Sequence, residues 1–488
     1  MTKAMQNYRI KTPVKHLTSD SRTVTQGSLF LAYAGDKSDG RTYIADAIKN
    51  GASAILWDSI NFDWNAEWDI ENIGIRNLRL QAGNIADQFY KKPSEKMWTI
   101  GVTGTNGKTS ITQWLSQCFN YLGKKTAVIG TLGNGFAEQL SETKNTTPDA
   151  ILLQSMLADY LNQGAEVAAI EVSSHGLQQG RVNGVHFDIA VLSNLSRDHL
   201  DYHGTLEEYA AAKRRLFDFI DLKMAVLNCD DAFGREVEAD LKRAVTPVIT
   251  YGIDHGDVRA TRLHFESTYF TFVAVTPQGE ATVKANLIGR FNVYNVLAVL
   301  ATLLVSKVSL QDAVDAIAHI QSAPGRMQQL GGDNLPLVVV DYAHTPDALE
   351  KVLSTLKAQK KEGAKLICVF GCGGNRDAGK RELMGKVASY LADAVVVTSD
   401  NPRHENKRKI INEILQGMQG NYLIEQDRAK AISVGIFAAK VDDIVLIAGK
   451  GHEQYQEIKD KKYHFSDVEQ AQKVLKKYAQ SLPSELQA

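Results

Sequence analysis

The sequence predicts an α/β protein of three domains: a small N-terminal α/β domain, a central domain on a mostly parallel sheet, and a C-terminal Rossmann-like domain. Three observations predict it. The 488 residues are too many for one typical core. From Met97 onward, apolar runs of strand length alternate with segments of helical period, the pattern of a parallel sheet covered by helices. From Pro324 the alternation starts again, and each strand-like run ends in polar or glycine-rich residues, where open α/β sheets hold ligands. The expected boundaries are residues 1–97, 98–325 and 326–488.

The elements follow in order. "GSLFLAYAG" and "GASAILWD" read as short strands of the first domain, and "MWTIGVTG" as a buried strand running into a glycine-rich loop. In "KTSITQWLSQCFNYLGKK", Ile111, Trp114, Leu115, Cys118, Phe119 and Leu122 share one helical face. "KTAVIGT" is a strand, and "PDAILLQSMLADYLNQG" a helix with Pro148 near its first turn and Gly164 at its end. "AEVAAIEVSS", "FDIAVLSNLS" and "MAVLNCDD" are buried strands. In the last domain the strands are "LPLVVVDYAH", "AKLICVFGCGG", "ADAVVVTSDN" and "DDIVLIAGKG".

Composition narrows the function classes. Apolar residues make up 44% and charged residues 23%, as in ordinary globular chains. A net charge of −1 provides no global field for nucleic acid or an anionic membrane, so any basic site must be local. The four cysteines, Cys118, Cys229, Cys368 and Cys372, fit no zinc pattern and read as buried free thiols. No apolar leader opens the chain, and no run of about 18 apolar residues suggests a membrane span. A soluble cytoplasmic protein is the expectation. The sequence leaves oligomeric state open, and a monomer is compatible with it.

The sharpest motif is "GVTGTNGKTS" at residues 101–110. A standard phosphate loop needs glycine at 102, where this chain has Val102; Gly101 and Gly107 have five residues between them, Gly104 included. The context is right: a buried strand before it and an amphipathic helix after it. Backbone N–H groups of such a loop face anionic oxygens, and the helix N-terminus adds positive potential. Lys108 would meet the β- and γ-phosphates and the Thr109 hydroxyl Mg²⁺, as in a P-loop ATPase-type domain.

Other polar residues interrupt apolar patterns. Glu171 ends a buried strand, where a lone carboxylate is costly unless a cation pairs with it. "SNLSRDHLDYHGT" supplies His199, Asp201 and His203, a run that by spacing alone is also compatible with zinc. "TLEEYAAAKRRLFDFI" opens with the capping pair Thr205 and Glu208; its Lys213, beside two arginines, reads most simply as a solvated face residue. Asn292 and Asn295 start an otherwise apolar helix and are compatible with capping.

Taken together, "GTNGKTS", the "SRDHLDYHGT" run and "YAAAK" resemble the Mur ligases, which build the peptide of bacterial peptidoglycan; the wider loop spacing is normal in that family. Related ligases that extend folate usually carry glycine at the Thr109 position. The resemblance spans essentially the whole chain. It implies ATP bound by Gly104, Thr105, Asn106, Gly107, Lys108, Thr109 and Ser110, with Asn292 and Asn295 on the adenine side and Arg326, Asp341 and His344 reaching the nucleotide from the third domain. It implies Mg²⁺ on Thr109, Glu171 and His199, and a CO₂-derived carbamate on Lys213 as a further metal ligand, with Asp201 and His203 holding their loop. Carbamate formation needs a neutral amine, which desolvation provides.

The resemblance also assigns the nucleotide-sugar substrate to Ser19, Ser21, Asp36, Lys37 and Ser38, followed by Asn145, Thr146, Thr147, Ser173, Gln179 and Arg181. Read from the residues alone, each set is equally compatible with turn chemistry. The incoming amino acid falls to Asp400, Asn401, Pro402 and Arg403 of "SDNPRHEN", with Arg376, Gly449 and Glu453. Members that add meso-diaminopimelate carry D-N-P-R here, and guanidinium binds a carboxylate bidentately. Glu453 would receive the distal ammonium. Two positions depart from the family, which more often has aspartate at Asn375 and a proline shortly after Arg403. The implied reaction is ATP-dependent joining of diaminopimelate to UDP-N-acetylmuramoyl-L-alanyl-D-glutamate through an acyl phosphate. A lysine-adding ligase and a nucleotide-switched binding protein are the rivals.

Overall fold

The computed structural model describes residues 10–36, 38–137 and 139–481. The chain forms two compact units: residues 1–259, 275–279 and 294–316 in one, and residues 260–274, 280–293 and 317–488 in the other.

The first unit begins with four parallel strands in the order β1 (His16–Thr18), β2 (Ser28–Ala32), β3 (Ala52–Asp58) and β4 (Asn72–Ile75). Strand alternation divides β2 between two cores, Leu29 and Leu31 packing on one face and Phe30 and Ala32 on the other. Helix α1 (Ile44–Lys49) covers the second face with Ile44 and Ala47; α2 (Leu78–Phe89) covers the first with Leu78, Ala82, Ile85 and Ala86.

The larger sheet of this unit is built from β5 (Trp98–Thr103), β6 (Thr126–Gly130), β7 (Gly133–Phe136), β8 (Gln139–Ser141), β9 (Val167–Glu171), β10 (Ile189–Leu192), β11 (Met224–Asn228) and β12 (Val248–Gly252). Their order is β12-β11-β10-β5-β9-β6-β7-β8, parallel from β12 to β6 and antiparallel at the β7–β8 edge. Strands β5, β6 and β9 to β11 are almost fully apolar and buried, as strands covered on both faces must be. Helices α3 (Lys108–Tyr121) and α4 (Ala150–Asn162) follow their strands. Helix α4 is capped by Asp149, whose side chain accepts from the amides of Ile151 and Leu152. Pro148 therefore precedes the cap instead of occupying the first turn, while Gly164 takes the left-handed conformation past the end.

The chain enters the second unit through β13 (Val258–Phe265), β14 (Phe270–Thr276) and β15 (Gly279–Ala285). A six-stranded sheet follows: β16 (Gln328–Gly331), β17 (Leu337–Asp341), β18 (Leu366–Phe370), β19 (Ala394–Val397), β20 (Tyr422–Ile424) and β21 (Ile444–Ala448). Its order is β16-β17-β21-β18-β19-β20, with only β16 antiparallel. Period-2 alternation sorts Val339, Cys368 and Leu446 to one core and Val338, Ile367 and Val445 to the other. A short hairpin, β22 (Tyr455–Ile458) and β23 (Lys461–His464), then precedes the last helix, Asp467–Ser481. All four cysteines are buried free thiols; burial pushes Cys118, Cys368 and Cys372 up to about 12 and Cys229 to about 11. Among the described residues, no helix is long and apolar enough to cross a membrane.

Candidate active site

Strand β5 ends at Thr103 and helix α3 begins at Lys108, so residues 104–107 turn the chain at a strand C-terminus. The glycines divide the work differently from their spacing. Gly101 lies inside β5 and makes room for the Phe187 ring, whereas Gly104 and Gly107 hold positive φ angles of 141° and 87°. A Cβ at Gly104 would overlap the Ser193 hydroxyl, and one at Gly107 the Asn295 amide. Asn295 thus stands against the loop from the helix Arg290–Val305, while Asn292 turns its amide back to the Ile288 carbonyl at 2.7 Å.

The end of β10 braces the loop. Thr105 N–H donates to Asn194 O at 2.8 Å, Asn106 N–H to Asn194 Oδ1 at 3.1 Å, and the Ser193 hydroxyl to Asn106 O at 2.6 Å. Lys108 folds over the loop, donating to the carbonyls of Gly104 at 2.8 Å and Thr105 at 2.9 Å. Ser110 follows in the first turn of α3.

Lys213 departs from what its segment alone suggests, a solvated face residue, and is buried as the desolvated amine expected from the resemblance would be. It lies on α7 (Leu206–Arg214), which follows α5 (Ser174–Gln178) and α6 (Leu200–His203), and it is 1% exposed. Its ammonium donates to Gly104 O at 2.7 Å and sits 4.4 Å from the Tyr209 ring centroid. A solvated face residue it is not: α7 turns Tyr209, Ala212 and Lys213 inward. Burial, reinforced by Lys108, drives its pKa well below the usual lysine value. Tyr209 in turn bonds the Thr105 hydroxyl at 3.2 Å. Thr205 caps α7 by accepting from the Glu208 amide.

Glu171 is fully buried at the end of β9. Hydrogen-bond donors, not a cationic side chain, satisfy it: the Thr109 hydroxyl reaches Oε2 at 2.9 Å, Thr131 N–H reaches Oε1 at 2.9 Å, and the Thr131 hydroxyl reaches Oε2 at 3.0 Å. Thr109 and Glu171 thus form one oxygen-rich point, a donor set suited to a hard cation. His199 stands apart, half-exposed at the start of α6 with φ 53°, its ring 4.9 Å from His175 and 6.2 Å from Tyr209. Among the described residues, no group of three or more His, Cys, Asp or Glu side chains gathers to hold a metal ion; Mg²⁺, which keeps several waters, needs only one or two protein carboxylates. His203 holds the loop through Ser174 at 2.9 Å, while Asp201 is exposed in the first turn of α6. His175, which the sequence did not single out, packs 4.1 Å from Tyr202; burial and then His199 and His203 lower its pKa to about 4.

The candidate nucleotide-sugar residues converge only in part. Gln179 Nε2 donates to Asp36 at 2.5 Å and to the Tyr202 hydroxyl at 3.0 Å, and Asp36 pairs with Arg79 at 2.6 Å. Arg181 donates to Gln179 Oε1 at 2.7 Å and to Thr147 O at 2.8 Å; Thr147 bonds Glu171 O at 2.8 Å and Ser173 at 3.1 Å. Thr146 meets Thr131 at 3.0 Å. These contacts link Asp36 to Glu171 through a continuous polar chain. Ser38 and Asn145 are exposed, Ser19 bonds Tyr33, and Ser21 opens a short 3₁₀ turn. Lys37 lies outside the described residues.

In the second unit, Asp341 accepts from the amides of Met327 and Ala343, both at 2.8 Å; burial raises its pKa and nearby Arg326 opposes the shift. The Arg326 guanidinium lies 5.0 Å from the Tyr342 ring, whose other neighbours are His344 at 4.7 Å and His452 at 5.3 Å. Arg326, Asp341 and His344 therefore share one cluster.

The loop after β19 is held by many side-chain hydrogen bonds. Asn401 Nδ2 donates to Glu453 Oε2 at 2.8 Å, and its Oδ1 accepts from Lys450 at 3.0 Å and from Glu457 N–H at 2.9 Å. Lys450, fully buried, also pairs with Glu453 at 2.9 Å. Arg403 has φ 49°, pairs through Nε with Glu457 at 2.8 Å and donates through NH1 to Gly374 O at 2.8 Å. Pro402 is buried, and its carbonyl accepts from the Glu405 amide. Gly449, at φ 120°, lets the chain pass beside Asp400, and Arg376 is exposed. Two buried arginines hold the frame. Arg381 binds Glu405 and Glu413; Arg428 pairs with Asp467 through two 2.7 Å bonds and donates to Ser399 O and Ala448 O. Asn375 accepts from the His404 amide, so its amide oxygen ties the two loops together. The sequence reading missed Lys450, Glu457, Arg381 and Arg428.

Comparisons with known proteins agree over the whole arrangement. The Mur ligase family, catalytic domain, matches residues 13–90; the Mur ligase middle domain matches 102–303; and the Mur ligase, glutamate ligase domain, matches 325–451. A UDP-N-acetylmuramoyl-L-alanyl-D-glutamate–2,6-diaminopimelate ligase of Chromobacterium violaceum is 50% identical over 95% of this chain and 94% of its own. The protein of the same name from Neisseria meningitidis serogroup B is also 50% identical, over 93% of each. A solved structure of a ligase with that name superposes with a TM-score of 0.75 at 39% identity, covering 98% of this chain and 99% of its own. The chain belongs to the Mur ligase family.

Proposed function

We propose that the protein is an ATP-dependent ligase that joins meso-diaminopimelate to UDP-N-acetylmuramoyl-L-alanyl-D-glutamate in peptidoglycan precursor synthesis. The observation that carries this reading is the Asp400–Arg403 loop: its arginine and Glu453 are held in one hydrogen-bonded frame, in a chain half identical to ligases of that name. Residues 1–97 and 98–325 serve the nucleotide-sugar and ATP, and residues 326–488 the amino acid.

ATP phosphorylates the substrate carboxylate, and the amine of diaminopimelate displaces phosphate from the acyl phosphate. The loop amides, the start of α3 and Lys108 supply the positive field that phosphoryl transfer requires. Asn292 and Asn295 serve the adenine side, and Arg326, Asp341 and His344 contribute to the nucleotide. Magnesium, when bound, neutralises phosphate charge; Thr109, Glu171, His199 and a carbamate on Lys213 would hold it. Two features support that assignment: the Thr109–Glu171 oxygen pair, and a buried Lys213 whose lowered pKa favours the neutral amine that attacks CO₂. The Asp36–Gln179–Arg181–Thr147 chain supports the nucleotide-sugar assignment.

ADP release tests the reaction class. A ligase releases ADP over many turnovers only when nucleotide-sugar and amino acid are both present, since without the amine the reaction stops at the acyl phosphate after one ADP. Sustained ADP release or nucleotide-driven closure without covalent joining would favour an ATP-switched binding protein instead.

A further inference from the structure

Arg403 makes a contact that substrate recognition alone does not require. Its Nε–H is held at 2.8 Å by Glu457 of the β22 strand, a residue 54 positions further along the chain. The hold is not incidental. Arg403 N–H donates to Glu457 O at 3.1 Å, Lys459 N–H to Arg403 O at 2.8 Å, and Glu457 N–H to Asn401 Oδ1 at 2.9 Å. Strand β22 is thus stitched along the recognition loop, and the Glu457 side chain closes on the guanidinium from a fixed backbone. With NH1 also anchored to Gly374 O, three anchors set the orientation of the plane: the backbone, Nε and one terminal nitrogen.

A guanidinium has two edges that bind a carboxylate bidentately, one including Nε and one formed by the two terminal nitrogens. Glu457 Oε2 holds the Nε–H of the first. We infer that Glu457 is a positioning residue for amino-acid selection: it holds the Nε edge of Arg403 so that the terminal edge is presented to the distal carboxylate of the incoming amino acid. The inference rests on the assignment of Arg403 to diaminopimelate. Lys450 stands in the same relation to Glu453, occupying Oε2 together with Asn401 Nδ2. Each charged recognition group is therefore held by an internal partner of opposite sign.

Preorganisation has a definite signature. Loss of Glu457 removes one charge-assisted hydrogen bond and frees a side chain rich in rotamers, and it leaves ATP contacts alone. E457A raises the KM for diaminopimelate about tenfold, the scale of one such bond, with the KM for ATP and for the nucleotide-sugar changed by less than about twofold. E457Q keeps an oxygen facing Nε and restores most of the loss. A purely structural role would move all three KM values together, and that result overturns the inference. So does a fall in the KM for diaminopimelate in E457A and E457Q, which would make Glu457 a competitor of the substrate carboxylate. R403A, measured in parallel, separates the two levels: an unchanged KM for diaminopimelate in R403A refutes the parent assignment itself, whereas a large rise in R403A with none in E457A refutes only the role of Glu457.

Discussion

Replacing Asp467 by asparagine tests how the recognition loops are held. Asp467 and Arg428 are both inaccessible to solvent and share two hydrogen bonds of 2.7 Å. Arg428 also donates to Ser399 O at 3.3 Å and Ala448 O at 3.0 Å, the carbonyls just before Asp400 and Gly449. D467N leaves a buried guanidinium without its counter-charge, a loss of about 3–5 kcal/mol. With a urea dependence of about 3 kcal/mol per molar, the midpoint for the second unit falls by roughly 1–2 M. Hydrogen exchange of amides in β17, β18, β19 and β21, followed across a urea series, reads that unit directly. The double variant R428M/D467L removes both charges and recovers most of the stability, since well-packed apolar replacements of a buried pair are often neutral. A D467N midpoint within about 0.3 M of the parent would refute the reasoning, as would a double variant less stable than the single one.

Three further outcomes follow from the first unit. Burial raises Asp87 to about 6, above the unfolded value of about 3.9, so its protonated form stabilises the fold at low pH and that contribution is lost as pH rises through 6. D87N should therefore raise the melting temperature at pH 8 more than at pH 5; equal shifts contradict this. G104A forces a Cβ onto the Ser193 hydroxyl at φ 141° and should abolish ATP binding in a titration that still shows native circular dichroism. Protein prepared free of CO₂ should lose ligase activity and regain it on adding bicarbonate, whereas K213A should be inactive in both; indifference of the parent to bicarbonate would remove the carbamate.

The strand–loop–helix at residues 98–121 was legible because its signals are local: an apolar strand, glycines and an amphipathic helix within about thirty residues. Gly101 serves sheet packing and Gly104 the turn, a division that the spacing alone does not reveal. Lys213 was not legible from its segment. Two arginines follow it, and the fact that α7 turns it inward beneath the Gly104 carbonyl depends on packing 109 residues away in sequence. The same distance hid the counter-ions of the recognition loop. Glu457 meets Arg403 across 54 residues and Asp467 meets Arg428 across 39, and neither acid carries a local mark of its partner. The β22–β23 hairpin escaped notice because its turn uses Lys459 at φ 56° where a glycine or asparagine would have announced it. Glu171 shows the reverse case. A lone acid after four apolar residues reads as needing a cation, whereas hydroxyl and amide donors from Thr109 and Thr131 satisfy it in the structure.

The central claim is that this chain joins diaminopimelate to the nucleotide-linked dipeptide. The most direct measurement is the mass of the product formed from ATP, Mg²⁺ and UDP-N-acetylmuramoyl-L-alanyl-D-glutamate when diaminopimelate and lysine are offered together at equal concentration. The diaminopimelate adduct should form almost alone. A lysine adduct of comparable amount would contradict the role given to Arg403, and the absence of any adduct in protein that binds ATP would contradict the ligase itself.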